Sequence, residues 1–94
     1  MRKYVYDFYA DPGHGWLKVS RKELRELSVE DKVSVSSYQR GAFVYLEEDC
    51  DAGIFLDAKT KQDPSFKEKL RFREHYANRL SQIRGYTRFQ RSTD

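Results

Sequence analysis

Near the start of the chain Tyr4, Tyr6 and Phe8 alternate with Lys3, Val5, Asp7 and Tyr9. A period of two in aromatic and β-branched residues predicts a strand over residues 3–9. Rings at both parities predict that both of its faces are partly covered. The segment 10–15 holds a proline and two glycines and reads as a loop, and Trp16 to Val19 reads as a short second strand. Ser20-Arg21-Lys22-Glu23 has capping-box spacing and opens a helix over 21–27, with Val19 placed to staple onto Leu24. No glycine closes that helix. Val33 and Val35 alternate with serines, which predicts extended chain over 33–39, and Ala42 to Leu46 has the strongest β-propensity in the chain. Arg40-Gly41 between them predicts a hairpin turn. In the acidic run Glu47 to Asp51, Asp49 or Asp51 is placed to cap a second helix over 52–61, and Asp63-Pro64 breaks it.

The next stretch has two periods at once. Phe66, Leu70, Ala77, Leu80 and Ile83 keep roughly helical spacing, yet Leu70, Phe72, Glu74 and Tyr76 alternate with Arg71, Arg73 and His75. Helix propensity favours the first reading, and the pattern leaves residues 64–83 open between helix and strand. Gly85 interrupts any helix, and residues 86–89 read as a last strand. The expected fold is α+β, a single domain over 1–94. A small, mainly antiparallel β-sheet is built from 3–9, 16–19, 33–39 and 42–46, joined by 69–76 or 84–90. Two or three helices pack on one face.

Composition sharpens this picture. Only 38% of the 94 residues are hydrophobic, but 15% are aromatic, so large rings must supply much of the core area. One cysteine excludes a disulfide framework, and the chain lacks an apolar stretch of membrane-spanning or leader type. A cytoplasmic protein without a membrane partner is expected. The net charge of +3 conceals an asymmetry. Residues 1–58 hold 8 basic and 11 acidic side chains, a net of −3, whereas residues 59–94 hold 10 and 4, a net of +6. Such a split fits either two parts that attract each other or a partner with its own charge pattern. Few aliphatics and exposed aromatic strands also leave a homodimer open.

The candidate chemistry is sparse. Cys50 sits among carboxylates, which disfavour the thiolate that a nucleophile needs. It reads better as a small, half-buried packing residue at a helix start. His14 lies between two glycines beside Trp16, but no zinc, redox or nucleophile-elbow motif accompanies it. Glu47, Glu48, Asp49 and Asp51 could offer hard oxygens to a cation, though without the spacing of a calcium loop. The expectation is therefore a protein with no catalytic residue, no metal ligands and no cofactor, the cation question at 47–51 being left open. The basic residues after Pro64 interleave with rings. Arginine pairs with phosphate or carboxylate while rings stack or anchor. Arg71, Arg73, Tyr76, Arg79, Arg84, Tyr86 and Arg88 are the candidate partner-binding residues, with His14 and Trp16 as loop candidates.

Asp11-Pro12-Gly13-His14-Gly15-Trp16-Leu17, Ser37-Tyr38-Gln39-Arg40-Gly41 and Tyr45-Leu46-Glu47-Glu48-Asp49-Cys50-Asp51-Ala52, with the weaker Ile83-Arg84-Gly85-Tyr86, together resemble small proteins encoded by bacteriophages and prophages. That family has no activity to transfer, so no residue role is inherited. The resemblance implies a phage origin, the cytoplasm of a bacterial host, an accessory role and an extended Leu70–Tyr76. The expected function is a non-enzymatic accessory protein that binds and modulates a host protein or ribonucleoprotein machine. In its sharpest form this is an anti-CRISPR-type inhibitor acting by steric occlusion. The alternative is a small nucleic-acid-binding module using the basic, aromatic C-terminal part.

Overall fold

The computed structural model describes residues 3–91 and forms one six-stranded sheet. In chain order its elements are β1 (Tyr4–Ala10), β2 (Gly15–Ser20), α1 (Arg21–Glu26), β3 (Tyr38–Arg40), β4 (Phe43–Glu47), α2 (Ala52–Gln62), α3 (Phe66–Lys69), β5 (Leu70–Tyr76) and β6 (Thr87–Arg88). Short 3₁₀ turns lie at Glu30–Lys32 and Gln82–Gly85. The strand order is β5-β1-β2-β4-β3-β6, antiparallel throughout except that β5 runs parallel to β1. The α+β expectation holds.

Register explains the two faces. Phe8 pairs with Leu17 and Leu17 with Leu46, so these three share a face with Tyr6, Val19 and Val44. Leu24 of α1, Ala52 and Phe55 of α2, and Phe66 of α3 close the core on that face. The opposite face carries Tyr9, Trp16, Tyr38 and Tyr45, packed with Ile83 and Tyr86 from the C-terminal segment. The rings at both parities of β1 are thus used on both sides. Lys59 of α2 is buried with its ammonium 4.6 Å from the Tyr4 ring centroid and 3.7 Å from Glu23. Its stem packs while its charge keeps a partner.

Ser20 caps α1 as expected, its hydroxyl accepting from the Glu23 amide at 3.1 Å. The Glu23 carboxylate goes elsewhere and accepts from the Tyr6 hydroxyl at 2.7 Å. What stands in for the missing glycine at the helix end is Ser28, held at φ 59°. The Ser28 amide donates to the Arg25 carbonyl and the Val29 amide to the Leu24 carbonyl, and Val29 and Leu24 are buried in one cluster. This is a Schellman motif with serine at a position that favours glycine. Ser28→Gly is expected to raise stability by about 1 kcal/mol, read as a higher urea midpoint with unchanged slope.

Several expectations need correction. The strand expected over 33–39 is confined to Tyr38–Arg40, because the serines before it fold around a buried carboxylate. Asp51 accepts from the Ser34 amide at 3.1 Å, the Ser34 hydroxyl at 2.8 Å and the Ser37 hydroxyl. Asp51 still precedes α2, but its side chain makes no capping bond. The hairpin turn lies one residue later than expected. Arg40 faces Phe43, and Gly41 takes φ 59° at the first turn position, where a side chain would be strained. Cys50 is exposed, not half-buried. The undecided stretch 64–83 resolves into the short α3, the seven-residue β5 and the 3₁₀ turn. Both 69–76 and 84–90 therefore contribute strands.

Candidate functional site

The two sheet rows opposite the helices set the site. One runs Arg73–Asp7–Lys18–Tyr45–Tyr38–Arg88, the other His75–Tyr9–Trp16–Glu47. Asp7 therefore meets two of the three basic side chains of β5: Arg73 Nε donates to it at 3.0 Å, and His75 Nε2 lies 2.9 Å away. The His75 bond first, and then Arg73, hold the Asp7 carboxyl below the usual aspartate range. The His75 ring stacks on Tyr9 with centroids 4.6 Å apart.

The C-terminal segment is fastened across this face by Asp11, whose side chain has no exposed surface. Its carboxylate accepts from Arg84 Nε at 2.7 Å and Nη2 at 3.0 Å, and from the amides of Ser81, Gly13 and His14. The Arg84 guanidinium also lies over the Trp16 ring. Gly15 belongs to the same corner. A Cβ there would meet the Phe8 ring at 2.6 Å and a Glu48 carboxylate oxygen at 2.9 Å, so any side chain at this position must displace both.

Segment 81–86 borders two clefts. The first, about 350 Å³, is walled by Tyr9, Tyr45, Tyr86 and His75, with Tyr76, Arg79 and Leu80 at its rim. Burial pushes the phenols of Tyr9 and Tyr45 above the ordinary tyrosine value, so both stay neutral and able to donate. The second, about 340 Å³, is lined by His14, Trp16, Tyr38, Glu47, Asp49, Cys50, Arg84 and Arg88, with Ser36.

The candidate residues thus fall into two groups. Tyr76 and Arg79 are exposed beside the first cleft, with Tyr86 in its wall under the Arg40 guanidinium. Arg71 and Arg73 stand on the exposed β5, where Arg71 bonds the Glu68 and Leu70 carbonyls. Arg84 is spent on Asp11, and Arg88 on the Val35 carbonyl and the Tyr38 ring. Part of the −3/+6 polarity is satisfied inside the molecule, through Arg73–Asp7 and Arg84–Asp11. Of the loop candidates, Trp16 is buried as a core anchor and His14 is exposed with its ring 6.2 Å from the indole.

Sequence reasoning treated His14 and the acidic run separately. The structure brings His14, Glu47 and Asp49 together, with one donor atom of each within 4.8 Å of the others. The β2–β4 register does this, setting Trp16 opposite Glu47 while the Glu48 amide donates to the Gly15 carbonyl at 3.0 Å. No single-strand pattern carries that signal.

No family model, curated protein or solved structure matches this chain. No helix among the described residues is long and apolar enough to cross a membrane.

Proposed function

We propose that this chain is a non-enzymatic binding protein that docks on a macromolecular machine and occludes it. The outer edge of β5 and the rim of the first cleft form the contact surface. One observation carries the reading. Phe72 (44% exposed), Tyr76 (66%) and Leu80 (73%) are large apolar groups left in solvent on or just after the terminal strand, which also carries the exposed Arg71, with the exposed Arg79 on the cleft rim. Apolar anchors rimmed by arginine have the composition of an interface hot spot, and a terminal strand offers unpaired backbone groups. The resemblance to phage proteins supplies the setting: an accessory protein in a bacterial host's cytoplasm, with inhibition of a CRISPR-type effector as its sharpest form. The second reading, a nucleic-acid module, draws support from Arg79 beside the tyrosine-walled cleft. Against it, Arg73, Arg84 and Arg88 already have internal partners.

The test is affinity capture from host lysate with the wild-type chain and with a Tyr76→Ser, Arg79→Glu, Leu80→Ser variant. The wild type is expected to retrieve one stoichiometric protein partner and the variant to lose it by about tenfold or more, at unchanged melting temperature. Equal retrieval by both, or none by either, defeats the proposal. Binding to single-stranded nucleic acid with a steep salt dependence would establish the second reading instead.

A further inference from the structure

We propose that His14, Glu47 and Asp49 form a binding site for a divalent transition-metal cation in the second cleft. Their donor atoms, an imidazole nitrogen and two carboxylate oxygens, lie within 4.8 Å of one another. Tetrahedral metal bonds of about 2.0–2.2 Å set ligand atoms about 3.4 Å apart, so side-chain movements totalling about 1.4 Å close the set. His14 and Asp49 are exposed and free to make them.

The electrostatics call for a cation. Glu47 is only 7% exposed, and its carboxylate accepts from the Asp49 amide at 2.7 Å. Among the described residues no lysine or arginine lies within ion-pair distance of it. A carboxylate this far from water needs a counter-charge, and here a second carboxylate, Asp49, stands beside it. The basic groups that face the cleft are committed elsewhere: Arg84 to Asp11, Arg88 to the Val35 carbonyl.

Trp16, 2% exposed, stands in the wall of the same cleft, its ring 6.2 Å from that of His14. Three protein ligands with an open position for water is the arrangement of accessible metal sites. One imidazole with two carboxylates suits zinc, manganese or cobalt, whereas calcium and magnesium favour oxygen donors throughout. The site is separate from the β5 surface and does not depend on its function.

The test uses the full chain, stripped with a chelator and titrated with Co²⁺, Zn²⁺ and Mn²⁺. Trp16 is the only tryptophan, so paramagnetic Co²⁺ bound near His14 is expected to quench its fluorescence saturably. Calorimetry with Zn²⁺ is expected to show a single equivalent. His14→Ala and Asp49→Asn are each expected to weaken binding by about tenfold or more at unchanged melting temperature, while Cys50→Ser leaves it within about twofold. Absence of saturable binding of all three cations up to roughly 1 mM by a folded chain overturns the site. So does unchanged affinity in His14→Ala, or loss of binding in Cys50→Ser, which would move the ligand to the thiolate.

Discussion

Asp11→Ala is expected to lower the unfolding free energy by about 3 kcal/mol and to shift Trp16 emission to the red. The carboxylate takes two guanidinium bonds and three backbone amides, and its side chain has no exposed surface. Breaking a buried pair by removing one partner costs about 3–5 kcal/mol. The lower end applies because the Arg84 side chain keeps 30% exposure and can be rehydrated. The damage is also directional. Asp11 holds Arg84 and Ser81, and so it holds the segment that covers Trp16 and borders both clefts. Chemical denaturation measures the loss and emission measures the uncovering; a stable variant with unshifted emission would show that the packing of Ile83 and Tyr86 holds the segment down without Asp11.

Acid should imitate the substitution. The Arg84 bonds first, and then the three amides, hold the Asp11 carboxyl far below the ordinary aspartate value. A depressed carboxyl contributes stability that is complete above the unfolded value, near about pH 4, and is lost progressively as pH falls below it toward the folded value. The wild type is expected to lose stability steeply below about pH 4 and the Asp11→Ala variant less so.

Asp51→Ala is the second large effect, about 2–4 kcal/mol. Asp51 is 2% exposed and gathers the Ser34 amide and both serine hydroxyls. Ser37, itself fully buried, also accepts from the Glu47 amide at 2.9 Å, and its carbonyl accepts from Phe89 at 2.9 Å. Loss of Asp51 thus leaves buried donors unpaired and loosens the 33–37 loop and the chain entering and leaving β6 together. Hydrogen exchange is expected to accelerate at 33–37 and at Phe89. Asp51→Asn keeps one acceptor oxygen and is expected to lose less; equal losses would count against the hydrogen-bond account.

How much of this was readable in advance depended on how local the cause was. The cap at Ser20, the strands of 4–10, 15–20 and 43–47, and helix α2 follow from spacing within a few residues. The serines at 34–37 show the opposite case. Their alternation with valine mimics a strand, but a carboxylate 14 to 17 residues away captures them. Leu70–Tyr76 is similar. Its helix-favouring composition yields to the backbone bonds that β1 offers along a seven-residue parallel register, a gain no local propensity can match.

The same division holds for function. From its own residues the sequence determined an α+β chain rich in rings, two parts of opposite charge, and a list of exposed-type arginines and tyrosines. It could not say which arginines were already taken. Only the fold paired Arg73 with Asp7 and Arg84 with Asp11, leaving Tyr76, Arg79 and Leu80 at the cleft rim, and only the β2–β4 register carried His14 to Glu47 and Asp49. The physical reason is range. Helix caps and strand periods act over a few residues, whereas charge pairing and ligand sets join groups some 30 to 70 positions apart, and sheet topology alone decides which of them meet.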